Sequence, residues 1–359
     1  MDIFDFLGIA VKSKASDLHL SAGLPPMILL HGDVQQLDLP ALNQHALEAM
    51  LNRLMSDEQR ELLETTLECD FSFEVPDLAR FRANMFYQSR GTSAVFRVIP
   101  SQVQSLDALN APAIFRSIAE NSHGLVLVTG ATGSGKSTTL AAIIDYINSH
   151  QSAHILTLED PIEFLHESKN SLIHQREIGR HTVSYSQALR SALREDPDVI
   201  LIGELRDTST IRLALTAAET GHLVLATLHT ASAPQAIDRL VDAFPASDKE
   251  GVRNLFAESL VGVLAQSLCP QAGGNGRVAA HEVMVGTSAV RNLIREGKVP
   301  QLYSQLQTGQ AVGMQTLDQS LMKLFRQKKI TQATLLELSK YPQNLNLIDN
   351  PPPEPVPLS

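Results

Sequence analysis

Only two cysteines, Cys69 and Cys269, occur in the 359 residues. They lie far apart and outside any metal-ligand spacing, which excludes a disulfide framework or a zinc knuckle and leaves two buried free thiols as the expectation. No apolar run approaches the ~18 residues that span a bilayer. The opening MDIFDFLGIAVKSK carries acids where a secretory leader carries bases, so a cytoplasmic chain with no direct membrane insertion is expected. A basic surplus is missing as well. With 29 Lys and Arg against 39 Asp and Glu, the net charge is −10, whereas phosphate contacts to nucleic acid need a basic face. No nucleic-acid partner is expected, and the one short basic run, Arg326 to Lys329, reads as a solvated helix end.

What is present is an ordinary globular composition, 43% hydrophobic and 19% charged, in a chain longer than the ~100–200 residues of one domain. Two units are therefore expected. In residues 1–98 helical patterns at 3–13 and 43–66 alternate with strand patterns at Asp17 to Ser21, Met27 to His31, 69–75, 80–88 and 92–98, which predicts a mixed α+β domain on antiparallel strands. Residues 99–112, with two prolines and no sustained period, read as a linker. From 113 to 345 the pattern becomes α/β. Short β-rich apolar runs, LVLVT (125–129), HILTLE (154–159), VILIGE (199–204) and LVLATL (223–228), suit parallel strands covered on both faces. Helices are expected beyond residue 282, at 288–296, 299–307, 316–326 and 331–340. The Pro-rich tail, 346–359, has neither pattern and is expected to be disordered.

Chemistry concentrates at four places. Gly130-Ala131-Thr132-Gly133-Ser134-Gly135-Lys136-Ser137, followed by Thr138, fits a phosphate-binding loop between a strand and a helix. Glycines let backbone N–H groups crowd an anion, Lys136 reaches the β/γ-phosphates of ATP, and the Ser137 hydroxyl goes to Mg²⁺. DPDVILIGE ends on Glu204, placed to deprotonate a water for attack on the γ-phosphate. Gly203 stands where such a strand usually carries a metal-holding Asp, so Glu159 and Asp160 in LTLEDPIEF are the candidate metal carboxylates, with Glu163 next in line as base. His222 and His229 flank LVLATL. They sit too far apart for one metal ion, and one or both could sense the γ-phosphate.

Together these segments resemble the secretion-ATPase superfamily of type II secretion and type IV pili. GATGSGKST (130–138) is similar to its Walker A, LTLEDPIEF (156–164) to its Asp box, DPDVILIGELRD (196–207) to its Walker B and TGHLVLATLHT (220–230) to its His box. A long N-terminal extension and a CxxC…CxxC insert are lacking, which separates the chain from the assembly ATPases. SDLHLSAGLPP (16–26), AVRNLIRE (289–296) and GMQTLDQSL (313–321) resemble the PilT-type retraction branch. The resemblance covers about residues 1 to 345 and implies a PAS-like first domain, a RecA-like ATPase domain with C-terminal helices, and a homohexamer. It also implies Arg80, Arg82 and Arg97 as fingers reaching a nucleotide held by another domain, and His229 as a site residue.

The expected partners are an inner-membrane pilus platform protein and a paralogous retraction ATPase, at the cytoplasmic side of the pilus base. The rival expectations are an assembly or secretion ATPase, a nucleotide-binding regulator that hydrolyses nothing, and a nucleic-acid translocase. RDTSTI (206–211) departs from the family's acidic RDxETI, and Ala131 stands where Pro is frequent. In AVRNLIRE, with Thr287 as N-cap and Gly297 at C′, Ala289, Val290, Leu293 and Ile294 are expected to face the core and Arg291, Asn292, Arg295 and Glu296 to face away.

Overall fold

Asp2 accepts from the N-terminus of the first helix and closes a capping box with Asp5, which starts α1 (Ile3–Lys12). The computed structural model describes residues 1–30, 33–99, 103–274 and 276–345. His31 of one expected strand, residues 100–102 of the expected linker and the whole tail lie outside them. Two units are defined by their internal packing, residues 1–103 with 163–165, and residues 104–162 with 166 onward.

The first unit continues with β1 (Asp17–Ser21), β2 (Met27–Leu30), β3 (Asp33–Gln36), α2 (Gln44–Asn52), α3 (Asp57–Thr66), β4 (Glu68–Val75), β5 (Ala79–Gln88) and β6 (Gly91–Ile99). Residues 43–66 thus hold two helices rather than one. Helix α2 ends at Asn52, and Ser56 and Gln59 form a capping box that starts a new helix at Asp57. The six strands form an antiparallel sheet, β3-β2-β1-β6-β5-β4. Ile3, Phe6, Leu7, Leu47, Leu51 and Leu63 from the helices pack with Leu18, Leu20, Phe81, Met85 and Phe96 from the strands in one core. Cys69 is a buried free thiol here.

The second unit contains α4 (Ile114–Ala119), β7 (Gly124–Thr129), α5 (Lys136–His150), β8 (His154–Glu159), β9 (Leu172–Glu177), α6 (Tyr185–Ala192), β10 (Val199–Ile202), α7 (Thr208–Glu219) and β11 (Leu223–Leu228). Beyond them come α8 (Ala233–Asp242), α9 (Lys249–Ser259), β12 (Leu260–Pro270), β13 (Arg277–Val285), α10 (Ser288–Arg295), α11 (Leu302–Thr308), α12 (Leu317–Arg326) and α13 (Gln332–Leu338). The sheet order is β13-β12-β7-β11-β10-β8-β9. All neighbours are parallel except β12 and β13. Ile200 and Ile202 face one layer of helices while Val199 and Leu201 face the other, the two-sided burial that their continuous apolar run demands.

The first of the helices expected beyond residue 282 is α10, at the expected place, while β13, which the sequence pattern did not show, runs to Val285. The strand hides from periodicity because it buries His281 and Glu282 among its apolar residues. Glu282 is held by the Ala233 amide at 2.8 Å and the Lys340 ammonium at 3.2 Å. β10 stops at Ile202, two residues short of Glu204. The expected helix at 299–307 starts as a tight turn over Val299–Gln301 and becomes α11 only at Leu302. Cys269, the second buried free thiol, packs with Leu317, Leu321, Leu324 and Leu335 under the C-terminal helices.

Candidate nucleotide site

Buried β7 delivers the chain to Gly130, and α5 begins at Lys136, so residues 130–135 turn at the carboxyl edge of the sheet. Gly130, Gly133 and Gly135 all have positive φ. At Gly130 a Cβ would stand 2.4 Å from the Gln266 carbonyl and 2.5 Å from the Ser134 hydroxyl, so no side chain fits. The fifteen-residue α5 points its N-terminal amides into the loop, where an anion is favoured. Ala131, Thr132 and Gly133 are exposed at the loop's tip, while Ser137 and Thr138 are half-buried on the first turn of α5. Ser134 Oγ is buried without a hydrogen-bond partner, an orphan of the kind a phosphate oxygen satisfies. The Lys136 ammonium donates to the carbonyls of Gly130 at 2.9 Å and Ala131 at 3.0 Å, which curls it over the cradle.

One loop-holding residue has no signal in its local sequence. Gln266 of β12 donates its amide to the Ser134 carbonyl at 2.7 Å and accepts from the Thr139 hydroxyl at 2.7 Å. It is buried, and its residue type would suit many surface positions.

Across the same edge, Glu204 follows β10. Arg206 grips its Oε2, with Nε at 2.8 Å and Nη2 at 2.7 Å, and His229 Nε2 lies 3.5 Å from its Oε1. Burial pushes the Glu204 carboxyl upward, but the Arg206 hydrogen bond and charge, with His229 and Lys136 further off, outweigh it and leave it below the usual range. Sequence reasoning did not single out Arg206. His229 sits at this edge, at the end of β11, whereas His222 precedes that strand and bonds to the Ala217 carbonyl at 3.0 Å. Parallel β7 and β11 run in register from Gly124↔Leu223 to Thr129↔Leu228, so His222 stands at the edge opposite the loop and cannot sense a phosphate there.

Glu159 ends β8 and accepts from the Thr157 hydroxyl at 2.7 Å and the Gln175 amide at 3.3 Å. Asp160 next to it is exposed. Among the described residues no group of three or more His, Cys, Asp or Glu could hold a metal by itself. Mg²⁺ makes no such demand, because it keeps waters and binds through one or two carboxylates plus substrate phosphates. The Ser137 hydroxyl, with Glu159 and Asp160 at the same sheet edge, has the right donor chemistry for that mode.

Glu163 is exposed and groups with the first unit. In that unit Arg82 lies opposite Arg97 across β5 and β6, and Arg80 precedes Arg82 by two residues, so all three share one sheet face. Phe81, Ala83 and Phe96 occupy the core face. Arg82 pairs with Asp70 at 3.0 Å and Arg97 with the buried Asp17 at 2.9 Å.

In α10 Thr287 caps and Gly297 takes the left-handed conformation, as its pattern predicts. Val290 and Ile294 are fully buried. Two of the facing assignments fail, however: Ala289 is exposed, and Arg291 turns inward. Its guanidinium donates to the carbonyls of Gly286, Glu258 and Leu260 at 2.8–2.9 Å, so it ties α10 to the end of α9 and the start of β12. Asn292 and Arg295 remain exposed, and Arg295 pairs with Glu258 at 2.5 Å.

Loop, helix and sheet order define the class: a P-loop protein that holds nucleotide phosphates at the carboxyl edge of a parallel sheet. Within that class the chain belongs to the Type II/IV secretion system protein family, whose model matches residues 3–332. It is 57% identical over 344 residues to the "Type IV pilus retractation ATPase PilT" of Pseudomonas aeruginosa, covering 96% of this chain and 100% of that one. It is 60% identical over 302 residues to the "Twitching motility protein" of Neisseria gonorrhoeae, covering 84% and 81% respectively. The crystal structure of the pilus retraction motor PilT with bound ADP matches with a TM-score of 0.89 at 44% identity, over 96% of this chain and 99% of that one.

Proposed function

We propose that this chain is the motor ATPase of type IV pilus retraction, coupling ATP hydrolysis to pilin depolymerisation and so to twitching motility. The observation that carries the reading is likeness along the whole chain to a relative named for that activity, at 57% identity over its full length. The ADP-bound motor that matches at a TM-score of 0.89 supports nucleotide as the ligand of the loop.

The residues divide the work. Backbone amides of Gly133 to Ser137 and the Lys136 ammonium take the β- and γ-phosphates, for which Lys136 leaves the loop carbonyls it now holds. Ser137, with Glu159 and Asp160, holds Mg²⁺, which when bound neutralises the phosphate oxygens. Glu204 accepts the proton of the attacking water, and His229 beside it reports whether the γ-phosphate is present. Arg206 pairs with Oε2 of the Glu204 carboxylate, and Oε1 faces His229. Six copies form a ring in which Arg80, Arg82 and Arg97 reach a nucleotide held by another domain, and such fingers are worth ~10³–10⁵ in rate.

No helix among the described residues is long and apolar enough to cross a membrane. The ring works at the cytoplasmic side of the pilus base, against an inner-membrane platform protein and alongside a paralogous ATPase. Deleting the gene and scoring surface pili tests the reading. Excess pili with lost twitching support retraction. Bald cells would make the chain an assembly ATPase instead.

A further inference from the structure

The proline-rich stretch 346–359 and the cations at the end of α12 have no place in the nucleotide site. A groove of about 640 Å³ on the C-terminal helices brings them together. Tyr303 of α11 and Tyr341 line it, their ring centroids 5.3 Å apart and their planes tilted by 59°. Two rings set at such an angle leave a wedge between them, and aromatic-lined grooves are what extended proline-rich segments dock into. Met322 of α12 adds adaptable apolar lining.

The groove also has a sign of charge. Lys323 and Arg326 of α12 line it and are exposed, and among the described residues neither has an ion-pair partner. Asp318, the acid of the lining, is committed elsewhere, because its two oxygens accept from the backbone amides of Lys340 at 2.8 Å and Tyr341 at 3.0 Å. An unmatched positive side thus borders two aromatic rings, on a chain whose net charge is −10.

We propose that residues 351–357 of this same chain turn back and dock in the groove as a polyproline helix, with prolines against Tyr303 and Tyr341 and with Asp349 and Glu354 toward Lys323 and Arg326. Leu345, the last described residue, itself lines the groove and is bonded through its amide to the Pro342 carbonyl at 3.2 Å. The chain therefore leaves the described structure inside the groove. Residues 346–350 reach up to about 17 Å when extended, enough to reverse direction. The sequence PPPEPVP at 351–357 suits neither helix nor sheet and favours the polyproline conformation, whose fixed φ leaves little entropy to lose on docking. Residues 346–359 include Asp349 and Glu354 and no Lys or Arg, the complement of the lining. Tethering holds the segment at a local concentration on the order of millimolar, so weak contacts are enough to seat it. Docked, the tail covers this face of the C-terminal helices and keeps other proteins from it.

The chain has no tryptophan, so Tyr341→Trp places a single fluorescent reporter in the groove of the full chain. Acrylamide should quench it about threefold more slowly than in the same chain with Pro351, Pro352, Pro353, Pro355 and Pro357 each changed to Gly, which keeps the length and removes the stiffness. Lys323→Glu with Arg326→Glu should free the reporter as well. Adding Asp349→Lys with Glu354→Lys should restore its protection, a rescue that packing of the ring within the folded domain would not produce. Equal melting temperatures check that every variant is folded.

Equal quenching with the proline and the glycine tails would overturn the inference, and so would protection indifferent to the charge reversal. Reporter chains with the glycine tail can also be mixed with chains that keep Tyr341 and the proline tail. Renewed protection in that mixture would mean that a second copy's tail fills the groove, and would overturn docking within one chain. The readout needs no nucleotide, so its failure leaves the ATPase reading intact and failure of that reading leaves the docked tail untouched.

Discussion

Gln266 and Ser134 are 132 positions apart in sequence and joined by a 2.7 Å hydrogen bond from side-chain amide to loop carbonyl. The same glutamine accepts from Thr139, one turn into α5, so a single side chain from β12 ties the loop to the helix it opens. Gln266→Ala strands a buried carbonyl and a buried hydroxyl. We expect a loss of roughly 1–3 kcal/mol in stability and weaker binding of a fluorescent ATP analogue. Gln266→Glu keeps the acceptor for Thr139 and loses the donor, so it should recover the helix contact alone. Unchanged nucleotide affinity in the alanine variant would show that the loop holds its shape unaided.

Glu204→Gln keeps the shape of the proposed base and removes its proton acceptor, so nucleotide should stay bound while turnover falls by at least ~10²-fold. The Arg206 pair also sets a pH dependence. With its carboxyl held below the usual range, Glu204 contributes stability at neutral pH that is lost as pH falls through the ordinary glutamate range, ~4.3, and below. Arg206→Ala leaves burial as the dominant influence and should move the acid limb of kcat/KM upward. Titrating both proteins in an ATPase assay checks the sign.

The arginine face of β5 and β6 gives a prediction in trans. Arg82→Ala or Arg97→Ala should abolish turnover in uniform rings and leave nucleotide binding in place. Mixed with Lys136→Ala subunits, which cannot hold phosphate, they should regain activity at those interfaces where an intact arginine meets an intact loop. Confirmed mixed rings without any rescue would leave these arginines as partners of Asp70 and Asp17 and nothing more.

Helix α10 separates stability from output. Ile294→Ala opens a cavity in a fully buried position and should cost roughly 2–5 kcal/mol. Half-buried Leu293 should cost less, roughly 1–2 kcal/mol on the area it covers. Arg291→Ala frees three backbone carbonyls and should cost roughly 1.5–3 kcal/mol. Substituting exposed Asn292 or Arg295 should leave melting temperature, ring formation and basal ATPase nearly unchanged, since a surface pair such as Arg295–Glu258 contributes little. Pilus retraction in cells should nevertheless fail. Normal twitching by these variants at wild-type protein levels would reduce the exposed face to ordinary surface.

Much of this architecture is local in origin, and local chemistry is what a sequence displays. The cap at Thr287, the glycines of the loop, and the apolar runs that became β7, β8, β10 and β11 each act over a few residues, so their spacing alone identifies them. The Lys136 loop and Glu204 both follow the carboxyl ends of short β-strand runs, and their place in the sequence shows it for the same reason. Strand β13 was not legible, because the buried charge of Glu282 breaks the apolar pattern and is matched only by Lys340 and the Ala233 amide. Arg291 was misplaced because helical periodicity sorts residues by polarity, and the carbonyls that draw this arginine inward belong to other elements.

The sequence by itself determined that the chain makes a P-loop on a parallel sheet, since the backbone conformations that cradle phosphate are available only to its glycines and its helix start. Tertiary structure decided what surrounds that loop. Gln266 reaches Ser134, and His229 rather than His222 reaches Glu204, because sheet order, set by the burial of both faces, brings together strand ends from distant parts of the chain. Which strand becomes whose neighbour is settled by packing the whole domain at once, and no short stretch of residues carries that information.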